Sequence, residues 1–309
     1  MRIVAGNASR ALGAAVATAA GTELVERRIE RFPDGEIHVQ LLEELRDSDT
    51  YLIQSTGPPS QEHLTELLLM ADAAYRAGAA RITAVVPYLA YARQDRRSSA
   101  GEPVGLRVVA DVLRASHVDR LLVVDPHTPA LESIVSMPVE TTSAVPLLAD
   151  ALRDTLDGDT VLVAPDLGAA KLVDRYAELL DLEVAIVRKT RLSGDEVETG
   201  AVIGSVRGRR PVIVDDMVST GGTIASAVEA VMAAGAVGPA TVAATHSLLV
   251  GPAVERLRAV EVAELVTTDS LVVPAGDLVV RTVSLAERLA EVVGRLHRGD
   301  PLAELSAHG

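Results

Sequence analysis

Apolar positions along this chain fall into short β-branched runs, separated by longer Ala- and Leu-rich stretches with helical spacing. The runs are Tyr51 to Gln54, Ile82 to Pro87, Leu121 to Val124, Val161 to Ala164, Val212 to Val214 and Thr241 to Ala244. That alternation predicts an α/β fold of mostly parallel sheets with crossover helices. Ligands of such sheets bind beyond the carboxyl ends of the strands. The residues just after each run are therefore the first candidates for chemistry: Gln54-Ser55-Thr56, Tyr88 to Arg96, Asp125-Pro126-His127, Pro165 to Gly168 and Asp215 to Thr223, all polar or Gly-bearing. Near the end, the periodic stretch Leu285 to Leu296 predicts a terminal helix.

Tyr51 to Tyr88 and Pro211 to His246 share one order: strand, polar loop, Ala-rich helix, Gly, second strand. The echo suggests two copies of one domain. A chain of 309 residues also exceeds the size at which a single core usually stops growing. We expect domains over 1–145 and 146–309, with the terminal helix packing back on the first. The copies differ at the loop after the first strand. The second carries Asp215-Asp216 and two glycines, whereas the first carries Gln54-Ser55 and Gly57-Pro58-Pro59.

Composition removes several classes of function. Hydrophobic residues make up 48% of the chain but aromatic ones only 2%, which argues against base-stacking platforms. A net charge of −14 argues against nucleic-acid and anionic-membrane partners, which need clustered Lys and Arg. The chain has no Cys, so disulfides, thiolate catalysis and thiolate metal sites are excluded, which fits a reducing compartment. Any metal must be held by oxygen or His. The apolar run Ala11 to Ala20 lacks the lead of a signal peptide, and no run is long enough to span a bilayer.

The most informative segment is Val212-Ile213-Val214-Asp215-Asp216-Met217-Val218-Ser219-Thr220-Gly221-Gly222-Thr223. An apolar strand delivers two carboxylates, and a loop of small residues leads into a helix starting near Ile224. Amides of Ser219 to Thr223 at such a helix start suit a phosphate, and Asp215 and Asp216 suit ribose hydroxyls. A plain turn with an acidic helix start is the alternative. The segment resembles the phosphoribosyl-pyrophosphate-binding signature shared by type I phosphoribosyltransferases and ribose-phosphate diphosphokinases.

Further segments resemble the diphosphokinases alone. Arg31-Phe32-Pro33-Asp34-Gly35-Glu36 is similar to their nucleotide loop, and Tyr91-Ala92-Arg93-Gln94-Asp95-Arg96 to their second ATP-contacting stretch. Phe32, the single Phe, suits an adenine face, with Asp34 and Glu36 as acceptors for its amino group. Otherwise the ring belongs to a partly buried turn. Asp125-Pro126-His127 resembles the family's Asp-Leu-His, and Asp166 its second metal position. The resemblance thus implies Mg2+ held by His127 and Asp166, although a lone His is more often structural. Lys189 and Arg191, in Arg188-Lys189-Thr190-Arg191, resemble the catalytic flexible loop; a surface ion pair is the alternative.

The resemblance implies two tandem phosphoribosyltransferase-type (type I) domains. ATP would be held by Phe32, Asp34, Gly35, Glu36, Arg93, Gln94, Asp95 and Arg96. Ribose 5-phosphate would be held by Arg191, Asp215, Asp216, Ser219, Thr220, Gly221, Gly222 and Thr223, with Lys189 and Arg191 catalytic. The product would be 5-phosphoribosyl 1-pyrophosphate, made by a cytoplasmic homo-oligomer (dimer, tetramer or hexamer). The chain departs from the family pattern at Pro126, at Ala169 where a Gly is usual, at Thr190 where the bacterial form usually has Arg, and at Ser219 where an acid is usual. The rival readings are a type I phosphoribosyltransferase, against which Phe32 to Glu36 and Arg93 to Arg96 argue, and a non-catalytic regulatory homologue.

Overall fold

The computed structural model describes residues 1–156, 158–191, 197–272 and 276–305, the side chains of 189–191 and 197–200 excepted. Its contacts divide the chain into two units: Met1–Ser143 with Ser270–Val272 and Ser284–Gly309, and Ala144–Asp269 with Val273–Val283.

The first unit runs β1 (Arg2–Ala5), α1 (Arg10–Ala19), β2 (Arg27–Arg31), β3 (Ile37–Leu41), β4 (Asp49–Ile53), α2 (Ser60–Arg76), β5 (Arg81–Val86), α3 (Gly105–Ala115), β6 (Arg120–Val124), α4 (Leu131–Ile134) and β7 (Val139–Thr142). Its main sheet is parallel throughout, in the order β1-β4-β5-β6-β7. Helices cover parallel strands on both faces, so the strands are buried along nearly their whole length. In α2 the buried Leu67, Met70, Ala71 and Ala74 lie three, four and seven residues on from the first, forming one stripe toward that sheet. β2 and β3 form a separate antiparallel hairpin, whose Ile29, Val39 and Leu41 pack against the same core.

The second unit runs α5 (Val145–Arg153), β8 (Thr160–Ala164), α6 (Ala170–Leu180), β9 (Val184–Arg191), β10 (Val197–Ile203), β11 (Arg210–Val218), α7 (Gly222–Ala233), β12 (Ala240–Ser247), α8 (Ala253–Ala259), β13 (Val262–Thr268) and β14 (Val280–Val283). The strand order is β10-β9-β8-β11-β12-β13-β14, with only the β9–β10 pair antiparallel. α7 buries Ile224, Ala227, Val228 and Val231 on the spacing seen in α2. Each buried Ile or Val among them contributes about 1.5–3 kcal/mol.

The parallel orders β1-β4-β5-β6-β7 and β8-β11-β12-β13-β14 are one topology offset by seven strands. In each unit a hairpin, β2–β3 or β9–β10, follows the helix after the first strand, α1 or α6. The duplication suggested by Tyr51 to Tyr88 and Pro211 to His246 is thus β4-α2-β5 and β11-α7-β12. The last helix, α9 (Ala286–Arg298), belongs to the first unit. His297 Nδ1 lies 2.8 Å from Asp49 Oδ2, and Arg81 holds that carboxylate at 2.6 and 2.7 Å.

Candidate functional site

In the second unit, strand β11 outlasts its neighbour. Its pairing with β8 ends at Ile213↔Val163, whereas β12 stays paired as far as Val218↔Ser247. Asp215 and Asp216 therefore stand on a stretch of β11 that β8 no longer flanks. The turn after β8 carries Asp166 into the same electrostatic neighbourhood. Burial first, then the neighbouring Asp216 carboxylate, and more weakly Asp166, push the Asp215 carboxyl up to about 8. A partner that donates hydrogen bonds or brings positive charge relieves that crowding.

Beyond the carboxylates the chain turns through Ser219 and Thr220 into α7, with Gly221 as its N-cap at φ +74°. A Cβ on Gly221 would lie 3.2 Å from the Ala253 carbonyl oxygen and 3.3 Å from its Cα. Both the conformation and the close approach call for glycine. The amides of Gly221, Gly222 and Thr223 have no hydrogen-bond acceptor among the described residues. They open the positive end of a 12-residue helix. Orphan donors beside two carboxylates suit a ligand with an anionic end and a hydroxylated body, which is the chemistry of a sugar phosphate.

Asp166 caps the short turn Leu167–Ala169. Its Oδ1 accepts from the Gly168 amide at 2.8 Å and the Ala169 amide at 3.3 Å. Oδ2 has no protein partner among the described residues. No group of three His, Asp or Glu side chains among them could hold a metal unaided. A cation here would take most of its shell from substrate and water. One free carboxylate oxygen beside an acidic cluster fits a hard divalent ion of that habit.

In the first unit, Phe32 to Glu36 forms the turn of the β2–β3 hairpin. The Phe32 amide donates to the Glu36 carbonyl and the Gly35 amide to the Phe32 carbonyl, both at 2.9 Å. Arg31 Nη1 donates to the Gly35 carbonyl at 3.0 Å, and Asp34 Oδ1 accepts from the Glu36 amide at 3.1 Å. Gly35 supplies the left-handed φ of +96° that closes the turn. An ion pair between Arg31 and Glu62 ties the hairpin to α2. Held this way, the Phe32 ring is 47% exposed and tilts against His38 at 5.5 Å. It is not a core residue.

Two more loops of this unit leave its main sheet, after β5 and β6. Each contains a non-glycine residue in left-handed backbone, Tyr91 at φ +66° and Asp125 at +36°. Such strain persists where the surroundings over-determine it, and it clusters at functional sites. The loops are joined directly: the Thr128 hydroxyl donates to Asp95 Oδ2 at 2.7 Å and its oxygen accepts from the Ala130 amide at 3.1 Å. Asp95 Oδ1 faces Arg96 Nε at 3.6 Å, so both of its oxygens have protein partners. Gln94 lies over the start of α3, where a Cβ on Gly105 would come within 2.5 Å of its Oε1. Arg93, Arg96 and His127 are exposed.

Lys189 and Arg191 close β9, which stays paired with β10 as far as Arg191↔Val197. Their side chains lie outside the described residues. Sequence reasoning passed over Thr128, Gly105 and Arg256. Thr128 directly follows His127, but a single Thr carries no pattern. Arg256, on α8, donates through Nη1 to the Thr220 carbonyl at 3.1 Å, and no local spacing signals it.

A family model described as the N-terminal domain of ribose phosphate pyrophosphokinase matches residues 1–116, and a phosphoribosyl transferase domain model matches 144–259. The chain is 36% identical to a ribose-phosphate pyrophosphokinase of Caldanaerobacter subterraneus subsp. tengcongensis, over 99% of this chain and 97% of that one. It is 38% identical to the protein of the same name from Burkholderia pseudomallei, over 99% and 98%. The crystal structure of a phosphoribosylpyrophosphate synthetase from Mycobacterium smegmatis superposes with a TM-score of 0.89 at 33% identity, covering 96% of this chain and 99% of that one.

Proposed function

Because the chain belongs to the ribose-phosphate pyrophosphokinase family, we propose that Asp215 to Thr223 holds ribose 5-phosphate while the loops of the first unit hold ATP. The reaction transfers the diphosphoryl group of ATP to the C1 hydroxyl of ribose 5-phosphate. The C1 oxygen bonds to the β-phosphorus and its proton passes to solvent, the bond from that phosphorus to the α,β-bridging oxygen breaks, and AMP leaves with that oxygen. The products are AMP and 5-phosphoribosyl 1-pyrophosphate.

The observation that carries the sugar-phosphate assignment is the juxtaposition of Asp215 and Asp216 with the orphan amides of Gly221, Gly222 and Thr223. Ser219, Thr220 and Thr223 add hydroxyl donors. In the first unit the exposed Phe32 ring covers the adenine, with Asp34 and Glu36 beside its amino group and Gly35 shaping the turn. Arg93 and Arg96 donate to phosphate oxygens. Gln94 and Asp95 shape that loop, through Gly105 and Thr128 respectively. Lys189 and Arg191 act on the transferring group, where fixed cations matter most as charge spreads in the transition state. Arg191 also reaches the sugar phosphate.

Asp166 and His127 would hold Mg2+, which when bound offsets triphosphate charge. No helix among the described residues is long and apolar enough to cross a membrane. The Cys-free composition supports a cytoplasmic setting, and we place the enzyme there as a homo-oligomer.

Asp215→Asn tests the sugar assignment. The KM for ribose 5-phosphate should rise about tenfold or more, on the scale of a lost hydrogen bond to a charged group, with ATP binding changed little. Equal losses for both substrates contradict it.

A further inference from the structure

We infer that Arg256 is a positioning residue for the sugar-phosphate loop, fixing the Thr220 carbonyl so that the Gly221 amide faces the phosphate monoester. The inference rests on the reading of Asp215 to Thr223 as the ribose 5-phosphate site. In a trans peptide the carbonyl of one residue and the amide of the next point in opposite directions. Arg256 Nη1 takes the Thr220 oxygen at 3.1 Å. The Gly221 amide of the same peptide is thereby turned away from α8, and no acceptor among the described residues engages it.

Two other contacts hold the loop from the same side. The Val250 amide donates to the Ser219 carbonyl at 3.0 Å, and the Ala253 backbone leaves no room for a side chain on Gly221. Those contacts fix where the loop lies, and glycine at 221 leaves its peptide orientation loosely determined. Arg256 supplies the missing constraint. A Cβ on Gly222 would meet Arg256 Nη1 only at ordinary van der Waals distance, 3.5 Å, so the guanidinium lies directly against the start of α7. The guanidinium also brings a positive charge alongside a loop whose carboxylates would otherwise repel an anion.

The test compares Arg256→Met and Arg256→Lys with the unaltered enzyme, using ribose 5-phosphate and ATP as varied substrates. Arg256→Met should raise the KM for ribose 5-phosphate about tenfold, the low end for a hydrogen bond with one charged partner, because the side chain is exposed. The KM for ATP, turnover at saturation and Tm should stay close to the unaltered values, and Arg256→Lys should recover part of the loss. An unchanged KM for ribose 5-phosphate overturns the inference, as does an equal rise for both substrates or an effect confined to Tm. Asp215→Asn run in parallel separates the two readings. If it weakens ribose 5-phosphate while Arg256→Met does not, only the role of Arg256 fails; if neither does, the site assignment fails with it.

Discussion

The Thr128 hydroxyl donates to Asp95 at 2.7 Å and so joins the loop after β5 to the loop after β6. Thr128 is 4% exposed and Asp95 is half-buried, so the bond is shielded from water. It links Arg93 and Arg96 on one side to His127 on the other. Thr128→Val keeps the side-chain shape but leaves Asp95 Oδ2 without its donor, at a cost of about 1–3 kcal/mol. Tm should fall and the KM for ATP should rise several-fold, while ribose 5-phosphate binding changes little. Thr128→Ser should restore both. Unaltered ATP kinetics in the Val variant would show that the two loops act independently.

Phe32 has a simpler signature. A ring 47% exposed at a hairpin tip contributes little to the core. Phe32→Ala should therefore leave Tm within about 1 °C of the unaltered protein, since surface changes usually stay within about 0.5 kcal/mol. The KM for ATP should rise, because stacking on a base is worth about 1–3 kcal/mol. A large drop in Tm with normal ATP kinetics would make the ring structural.

Asp215 ties stability to pH. Its carboxyl is pushed up to about 8 in the folded chain, against about 4 when unfolded. The folded state therefore binds the proton more tightly. The stability this contributes is complete below about pH 4, declines as pH rises, and is lost above about pH 8. Asp215→Asn removes the ionisation that opposes folding. Its Tm should match the unaltered protein near pH 4 and exceed it increasingly toward pH 8, with no substrate present. A pH-independent difference would mean that the carboxyl is not held protonated.

Much of this architecture is legible along the chain, because parallel strands buried on both faces must be continuous apolar runs. Ile82 to Pro87 marks β5, Val161 to Ala164 marks β8, and the periodicity of Leu285 to Leu296 marks α9. β2 is different: Arg-Arg-Ile-Glu-Arg buries one face of an outlying hairpin and carries no such run. Asp215 to Thr223 is readable because strand, carboxylates and helix start are consecutive. The Asp95–Thr128 bond spans 33 residues and the Arg256–Thr220 bond 36, and pairings at that distance leave no local pattern. The same limit holds for the equivalence of the two units, which becomes visible in full only through strand order.

The most direct measurement of diphosphoryl transfer uses ATP labelled at its β-phosphorus, incubated with ribose 5-phosphate and Mg2+ and resolved by ion-exchange chromatography. The label should appear in 5-phosphoribosyl 1-pyrophosphate, with one AMP formed for each molecule of product, and neither should form without the sugar phosphate. Label retained in ADP, or AMP formed without labelled sugar diphosphate, would contradict the assigned reaction.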